Sequence, residues 1–317
     1  MSNAPAIAPE RAPSVLAVQQ VSRWYGDVIA LNNVEFEMGP GVTGLLGPNG
    51  AGKSTLIRLL VGLANPGSGR VTLDGRDIRN DVESFARIGY VADVDGLYDE
   101  LTARRFLSDQ ARMRGFDRSA RPGRVEAILE YVGLTDAADR RVGGFSKGMR
   151  QRVKLAQALI HDPDVLVLDE PLTGLDPMMR REMTSAVRAL GDAGVTVVVS
   201  SHVLHEIEAM TDQVVLMRHG QLLAEGAVSE IRDQVDDEPR RIALVSTDAR
   251  ALGAALLTLG DLVLGLEVGD GVVVVRTLSP NRLGVEVQRL VLAGEFSVTG
   301  VDPLDEDLQS VFSYLVR

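Results

Sequence analysis

The chain has 317 residues, 45% of them hydrophobic, which is enough for one large or two moderate domains with packed cores. Its formal net charge is −11 and its pI is about 4.9. An acidic protein repels a phosphate backbone, so the composition disfavours a general nucleic-acid binder. The absence of cysteine excludes disulfides and cysteine metal sites, and fits a reducing compartment.

Two features bear on where the protein acts. No apolar run approaches the ~18–20 residues that a membrane-spanning helix needs, so we expect any membrane role to run through a partner chain. Residues 1–14 are rich in Ala and Pro and lack an apolar signal core, and we expect them to form a disordered tail.

The most specific motif is a glycine-rich segment between a predicted strand and a predicted helix. The apolar run at 42–46 predicts a buried strand, and leucines at helical spacing after residue 55 predict a helix. The segment between them matches the phosphate-loop pattern G-x-x-x-x-G-K-[ST]. It consists of Gly47, Pro48, Asn49, Gly50, Ala51, Gly52, Lys53, Ser54 and Thr55.

Triphosphate binding explains these residue types. The bare backbone at Gly47, Gly50 and Gly52 lets phosphate oxygens approach backbone N–H groups, and a helix N-terminus favours anions. Lys53 can reach the β- and γ-phosphates as a catalytic charge, and the Ser54 hydroxyl is the expected magnesium ligand. The motif leaves open which phosphate-loop protein this is.

Two carboxylates follow a second buried strand. Residues 165–168 form an unbroken apolar run, as expected for a strand covered on both faces of a parallel sheet. Asp169 can hold magnesium, directly or through water, and Glu170 can polarise the attacking water. Adjacent acids repel each other unless a cation is present, so we expect Mg²⁺ beside them.

A third buried strand, at 195–199, leads to His202. His202 can contact the γ-phosphate. The alternative is a metal site formed with His205 and Glu206, but these residues match no zinc helix pattern and no cysteine supports one.

Other segments predict the domain organisation. Tyr25 ends a strand upstream of the phosphate loop and can either stack on an adenine ring or cover the core. Residues 67–70 predict a turn. Helical spacing over about 97–160, opening at a Thr102 N-cap, predicts a helical subdomain. The acidic stretch at 233–241 predicts a linker.

The remainder, residues 240–317, predicts a small α+β domain. Strands at 242–245, 262–268, 272–276 and 296–301 alternate with two helices in the order βαββαβ, which is that of a ferredoxin-like fold. A final amphipathic helix follows. This unit carries no glycine loop, acid pair or histidine, so its function does not follow from its fold.

In this order, the motifs resemble an ATP-binding subunit of an ABC transporter over about residues 15–230. The most specific match is Gly144–Arg152, which resembles the family's signature loop in the variant form of drug, antibiotic and sodium exporters, where the permease is a separate chain. The resemblance implies an α/β phosphate-loop NTPase over 15–234, with a RecA-like core and antiparallel β and helical subdomains.

Roles follow from the resemblance position by position. Tyr25 resembles the adenine-stacking aromatic, and Ser146 and Gly148 would face the γ-phosphate bound to the opposite subunit. Asp169, Glu170 and His202 resemble the magnesium aspartate, the catalytic glutamate and the switch histidine.

The resemblance also implies an assembly. Two subunits would lie head to tail with two ATP molecules between them, and ATP would stabilise the closed state. A membrane permease would follow the closing and opening. The protein would then lie on the cytoplasmic side of the cell membrane, peripheral through the permease, without a nucleic-acid partner.

The chain departs from the family at Asp93, which falls where a glutamine is usual. A carboxylate adds negative charge near magnesium; it can ligate the ion or its water but cannot donate an amide hydrogen bond. Lys147 and Met149 replace a glycine and a glutamine of the commoner signature.

Two further hypotheses are open. A soluble ABC ATPase that acts on ribosomes or DNA without a permease is the alternative function, although such relatives usually carry two ATPase domains or a long coiled coil. The C-terminal unit either helps to hold the dimer or contacts a regulator, or only stabilises the chain.

Overall fold

The computed structural model describes residues 13–233, 238–294, 296–305 and 307–315. Most of the predicted tail, residues 1–12, and residues 234–237 of the predicted linker lie outside the described residues. Ser14, predicted to belong to the tail, is buried, and its carbonyl accepts a hydrogen bond from Thr196 Oγ1 at 2.6 Å. The chain divides into two compact units, Met1–Gly226 and Ala227–Arg317, so the division precedes the linker predicted at 233–241.

The first unit is built on two sheets. Its strands are β1 (Leu16–Tyr25), β2 (Val28–Met38), β3 (Gly41–Leu46), β4 (Ser68–Leu73), β5 (Arg76–Asp77), β6 (Ile88–Val91), β7 (Val165–Asp169), β8 (Thr196–Ser201), β9 (Gln213–Arg218) and β10 (Gln221–Ala227). One sheet has the order β2-β1-β4-β5 and is antiparallel. The other has the order β10-β9-β3-β8-β7-β6, and its strands pair in parallel from β9 to β6.

The helices of the first unit include the predicted ones, after the phosphate loop and within 97–160, and three that were not predicted, at 82–86, 177–192 and 204–208. They are α1 (Lys53–Leu60), α2 (Val82–Ala86), α3 (Ala103–Met113), α4 (Arg121–Tyr131), α5 (Lys147–Leu159), α6 (Pro177–Asp192) and α7 (Leu204–Glu208). Thr102 caps α3 as predicted, because its side chain accepts from Arg105 N. The block α3–α5 is the predicted run of helices between the strands β6 and β7.

The core explains the apolar runs in the central parallel strands. Every residue of β7 is buried, and so is every residue of β8, as expected for parallel strands covered on both faces. Leucines and Ile57 of α1 pack in one cluster with apolar residues of both sheets. The phosphate loop is therefore anchored on both sides by buried apolar surface.

The turn predicted at 67–70 is wrong. Residues 68–70 belong to β4, where Arg70 pairs with Gln19 of β1. Gly69 has φ +76°, and a Cβ there would lie 2.3 Å from the carbonyl oxygen of Gln20. The glycine thus accommodates an irregularity in the pairing of two strands rather than a chain reversal.

The second unit contains α8 (Val228–Asp233), β11 (Arg240–Ser246), α9 (Ala249–Leu257), β12 (Gly265–Val268), β13 (Val272–Thr277), α10 (Pro280–Leu292), β14 (Val298–Pro303) and α11 (Leu308–Leu315). From β11 to β14 the element order is the predicted βαββαβ, in an antiparallel sheet of order β12-β13-β11-β14. The strand predicted over 262–268 is shorter, because Gly260–Leu262 forms a 3₁₀ turn. Membership of the ferredoxin-like fold family stays a prediction.

Two further features complete the second unit. Leu244, Val273 and Val275 of the sheet pack against the leucines of α9 and α10. Arg232 of α8 and Asp305 form an ion pair at 3.0 Å with both side chains almost fully buried.

Within the described part of the chain, no helix has the length and apolar character required to cross a membrane.

Candidate functional site

Four neighbouring parallel strands end at one edge of the six-stranded sheet. The strands β3, β8, β7 and β6 are adjacent in that order, and their carboxyl ends meet at the same edge. The phosphate loop follows β3, His202 follows β8, Asp169 ends β7, and Asp93 comes two residues after β6. Strand order therefore brings together segments that are far apart in the sequence.

Two glycines of the phosphate loop are required by close packing within the protein. A Cβ at Gly47 would lie 2.3 Å from the carbonyl oxygen of Met217, and one at Gly52 would lie 2.7 Å from that of Ala30. Gly52 has φ +103° and precedes α1, where no described side chain caps the helix. Backbone N–H groups of the first turn are thus available to an anion.

Lys53 is buried at the start of α1. Its Nζ donates to the carbonyl oxygen of Gly47 at 2.5 Å and to that of Pro48 at 3.3 Å. Burial lowers the pKa of Lys53, while the nearby carboxylates of Glu170 and Asp169 oppose that shift. The ammonium therefore lies between the loop and the acid pair, within reach of a phosphate bound in the loop.

A buried serine organises the acid pair. Ser200 Oγ donates to Asp169 Oδ1 at 2.7 Å and accepts from the backbone N–H of Glu170 at 3.0 Å. Burial raises the pKa of Asp169, the hydrogen bond from Ser200 opposes the shift, and the charge of Asp93 adds to it. We did not predict a role for Ser200; its signal was a polar residue directly after the valines that fill β8.

Glu170 is held by its backbone and by His202. The residue has φ +49°, a left-handed conformation that is uncommon outside glycine. His202 Nδ1 lies 2.9 Å and 3.0 Å from the two carboxylate oxygens of Glu170. The imidazole can thus orient the carboxylate that we predicted to act on water.

These residues enclose a cleft of about 490 Å³. Its lining includes most of the predicted site residues, namely Asn49, Gly50, Ala51, Gly52, Lys53, Ser54, Thr55, Asp93, Asp169, Glu170 and His202. Sequence analysis missed Val28, Ile29, Ala30 and Thr173, which also line it. Val28 and Ile29 are more than half exposed, and two neighbouring apolar residues beside the tight turn after Tyr25 were the available signal.

Tyr25 lies outside the lining of this cleft. The guanidinium of Arg23 lies 4.8 Å from the centre of its ring. Burial acts to raise the pKa of Tyr25, but hydrogen bonds of its hydroxyl with Arg23, Thr55 and Arg58 together lower that pKa. The side chain therefore lies near the phosphate loop and its helix, with the residue 42% exposed.

Ser146 and Gly148 lie apart from the residues that line the cleft. Ser146 is exposed and caps α5, accepting from Met149 N at 3.3 Å. Gly148 is buried, and a Cβ there would clash with the Met179 side chain. Both residues thus lie outside the lining of the cleft, and the role of the segment toward an opposite subunit stays a prediction.

The cleft has donors for a triphosphate and acceptors for a hard cation. Backbone N–H groups and Lys53 suit phosphate oxygens. The Ser54 hydroxyl and the carboxylates of Asp169 and Asp93 are the oxygen ligands that Mg²⁺ prefers. Glu170 is placed to accept a proton from water.

Comparison with known proteins places the chain in a family. Residues 31–173 match the family model described as ABC transporter. The ABC transporter ATP-binding protein NatA of Bacillus subtilis (strain 168) is 37% identical over 213 residues, which cover 67% of this chain and 87% of that protein. The Nod factor export ATP-binding protein I of Burkholderia orbicola (strain AU 1054) is 39% identical over 211 residues, covering 66% and 69% respectively.

A solved structure of the same kind of protein has a similar fold. The structure of an ATP binding subunit of an ABC transporter aligns with a TM-score of 0.64 at 29% identity, and the alignment covers 69% of this chain and 92% of that one.

Proposed function

We propose, because the chain belongs to the ATP-binding proteins of ABC transporters and is an ATPase, that two copies of it close around two ATP molecules to drive a separate exporter permease. The observation that carries the proposal is the cleft in which Lys53, Asp169, Glu170 and His202 converge, while the exposed cap Ser146 lies apart from it. One subunit then supplies the phosphate loop and the other supplies the signature segment.

Within one subunit, the proposed division of labour follows from the geometry. The loop from Gly47 to Thr55 holds the phosphates, and Lys53 leaves its loop carbonyls to reach the β- and γ-phosphates. Ser54, Asp169 and Asp93 would hold Mg²⁺, which neutralises phosphate charge when it is bound. Tyr25, with Val28 and Ile29, supplies the apolar surface for the adenine.

Glu170 is the proposed base for the attacking water. Its carboxylate is fixed by His202 on one side and its backbone by Ser200 on the other. A fixed carboxylate near the γ-phosphate can take a proton from water as the water attacks, which typically contributes 10²–10⁴-fold to the rate. His202 also has an exposed edge, since half of its side chain is exposed, and can donate to the γ-phosphate.

An export role is supported by the Nod factor export relative. A membrane partner is proposed because the relatives are ATP-binding proteins of transport and export systems. The protein then lies on the cytoplasmic side of the membrane, held by its permease.

The test combines one substitution with two measurements. Glu170→Gln keeps the size of the side chain and removes its negative charge, so it should retain ATP binding, abolish turnover and accumulate as an ATP-dependent dimer. Light scattering after size-exclusion chromatography, with and without ATP, measures the dimer. A Glu170→Gln protein that hydrolyses ATP at the wild-type rate, or that stays monomeric with ATP, contradicts the proposal.

A separate experiment, purification from detergent-solubilised membranes, tests the permease. Recovery of the protein without an integral membrane chain contradicts the proposed membrane partner.

A further inference from the structure

A buried lysine of α5 contacts the segment that carries Asp93. Lys154 is only 8% exposed, and its Nζ donates to the backbone carbonyl oxygen of Asp93 at 3.2 Å. Burial lowers the pKa of Lys154, and the carboxylates of Asp95, Asp93 and Asp169 all oppose that shift. A buried ammonium is costly without partners of opposite charge, so these carboxylates explain why a lysine is tolerated there.

Carboxylates and cations face one another on this side of the cleft. Asp93 occupies a position at which the family resemblance implies a neutral glutamine, and its charge already disfavours ionisation of Asp169. Lys53 faces Glu170 and Asp169 from the phosphate-loop side, and Arg58 of α1 also acts to lower the pKa of Asp169. Lys154 is the cation that faces Asp93 and Asp169 from the side of α5.

A second basic residue of α5 holds the same segment. Arg150 lies one helical turn before Lys154, on the same face. Its guanidinium pairs with Asp95 and, at 2.7 Å, with Asp99, and it also donates to the Val142 carbonyl oxygen at 3.0 Å. The first two turns of α5 therefore form ion pairs and hydrogen bonds with the segment that begins at Asp93.

Backbone hydrogen bonds also connect the segment after Asp93 to the turn before Ser146. Gly143 N donates to the Asp99 carbonyl oxygen at 3.0 Å, and Val142 N donates to that of Leu101 at 2.9 Å. Residues 142–144 directly precede Phe145 and Ser146. The segment after Asp93 is thus bonded both to α5 and to the turn that leads to Ser146.

We propose that Lys154 is a positioning residue that offsets the charge of Asp93 and fixes Asp93 to the helix that carries Ser146 at its N-terminus. The inference rests on the proposed role of Asp93 at the nucleotide's metal ion. The acid at position 93 and the lysine at position 154 act as one unit, which replaces a neutral side chain. Lys154 therefore matters more for nucleotide binding while residue 93 is an acid than when residue 93 is a glutamine.

The test is a double-mutant cycle on the full chain. The proteins are wild type, Lys154→Met, Asp93→Gln and the double variant, and the readout is the Kd of a fluorescent ATP analogue in EDTA and in excess Mg²⁺. Lys154→Met should raise Kd roughly tenfold when Asp93 is present, because an uncompensated carboxylate repels the phosphates. In the Asp93→Gln background the increase should stay below about twofold. The loss of affinity should be larger in EDTA than in Mg²⁺, since ATP without Mg²⁺ carries more negative charge than the Mg²⁺ complex does.

Two controls separate a charge effect from a structural one. Lys154→Arg keeps the charge and should bind as wild type does. Arg118→Met removes one exposed positive charge elsewhere and should leave Kd unchanged. An equal rise in Kd in both backgrounds shows that Lys154 acts through packing alone and overturns the inference.

Folding is checked by the unfolding midpoint of each protein. If Lys154→Met is too unstable for binding measurements, the unfolding midpoint of the double variant should be higher than that of Lys154→Met, because Asp93→Gln removes one of the charges that Lys154 offsets; a double variant that is no more stable than Lys154→Met overturns the inference. Failure of the proposed function is a different result. A folded wild-type protein whose binding of the analogue is absent, or is unaffected by Lys53→Met, contradicts the nucleotide site itself.

Discussion

His202 Nδ1 lies 2.9 Å from Glu170 Oε1 and 3.0 Å from Oε2, although 32 positions separate the two residues. The contact forms because β7 and β8 are neighbours in the sheet and each residue directly follows its strand. An imidazole that contacts both oxygens restricts rotation of the carboxylate, so the orientation of Glu170 depends on a residue of the adjacent strand.

The first prediction concerns this contact. His202→Ala removes the partner of the Glu170 carboxylate and should lower kcat by roughly 10- to 100-fold, the size of one hydrogen bond to a charged group. ATP affinity should change little, because the phosphate loop is intact. The measurement is steady-state ATPase activity. His205→Ala removes an exposed histidine of α7 and should retain wild-type kcat; equal losses in the two variants would show that the contact with Glu170 has no role.

The second prediction concerns Ser200. Ser200→Ala leaves the Glu170 N–H and Asp169 Oδ1 without this hydroxyl in a buried site, which should lower the free energy of unfolding by about 1–3 kcal/mol. Urea denaturation measures the change. Thr258→Ala deletes a hydroxyl that bonds only within its own exposed helix turn, and should change stability by less than about 0.5 kcal/mol. A Ser200→Ala protein as stable as wild type would rule out an organising role for this hydroxyl.

The third prediction concerns Tyr25. If its ring stacks on adenine, Tyr25→Ala should weaken ATP binding by roughly 1–3 kcal/mol, whereas Tyr25→Phe keeps the ring and should bind nearly as wild type does. Isothermal titration calorimetry with ATP measures both. The alternative, that Tyr25 only ties β1 to Thr55 and Arg58, predicts instead that Tyr25→Phe is the damaging change, since it removes the hydroxyl.

The fourth prediction concerns His161, which follows α5. Burial and the nearby Arg114 lower its pKa to about 4, and its Nε2 lies 3.2 Å from the Ile88 carbonyl oxygen. Between pH 6.5 and 4 the unfolded histidine binds a proton that the folded one does not. The free energy of unfolding should therefore decrease as the pH is lowered through that window, by up to roughly 1.4 kcal/mol per pH unit.

Denaturation at several pH values tests this sign. His161→Gln should flatten the dependence between pH 6.5 and 4, while His205→Gln, at an exposed histidine, should leave it as in wild type. Stability that rises as the pH falls through this window would mean that the folded protein favours the charged imidazole.

Much of the site could be predicted because its residues follow local patterns. The phosphate loop can be recognised from its own glycines, lysine and serine. Asp169, Glu170 and His202 each follow an apolar run that is long enough to identify a buried strand. Even the βαββαβ order of the second unit follows from periodicity and turn residues. In each case the signal lies within about ten consecutive residues.

The contacts that organise these residues left no such local signal. Ser200 meets Asp169, and Lys154 meets Asp93, only because distant strands and helices become neighbours. Gly69 indicated a turn by its residue type, but pairing with β1 made it part of a strand. Tyr25 could stack or pack on sequence grounds, and its hydroxyl contacts with Thr55 and Arg58 appear only in the fold.

The sequence by itself thus predicted which residues would carry the proposed triphosphate chemistry and on which elements they stand, because periodicity and motif spacing report burial and local conformation. Only the tertiary structure decided which side chains hold the acids, the histidine and the lysine in place. Those partners depend on strand order and helix packing, which are set by the burial of apolar surface over the whole unit rather than by any short stretch of residues.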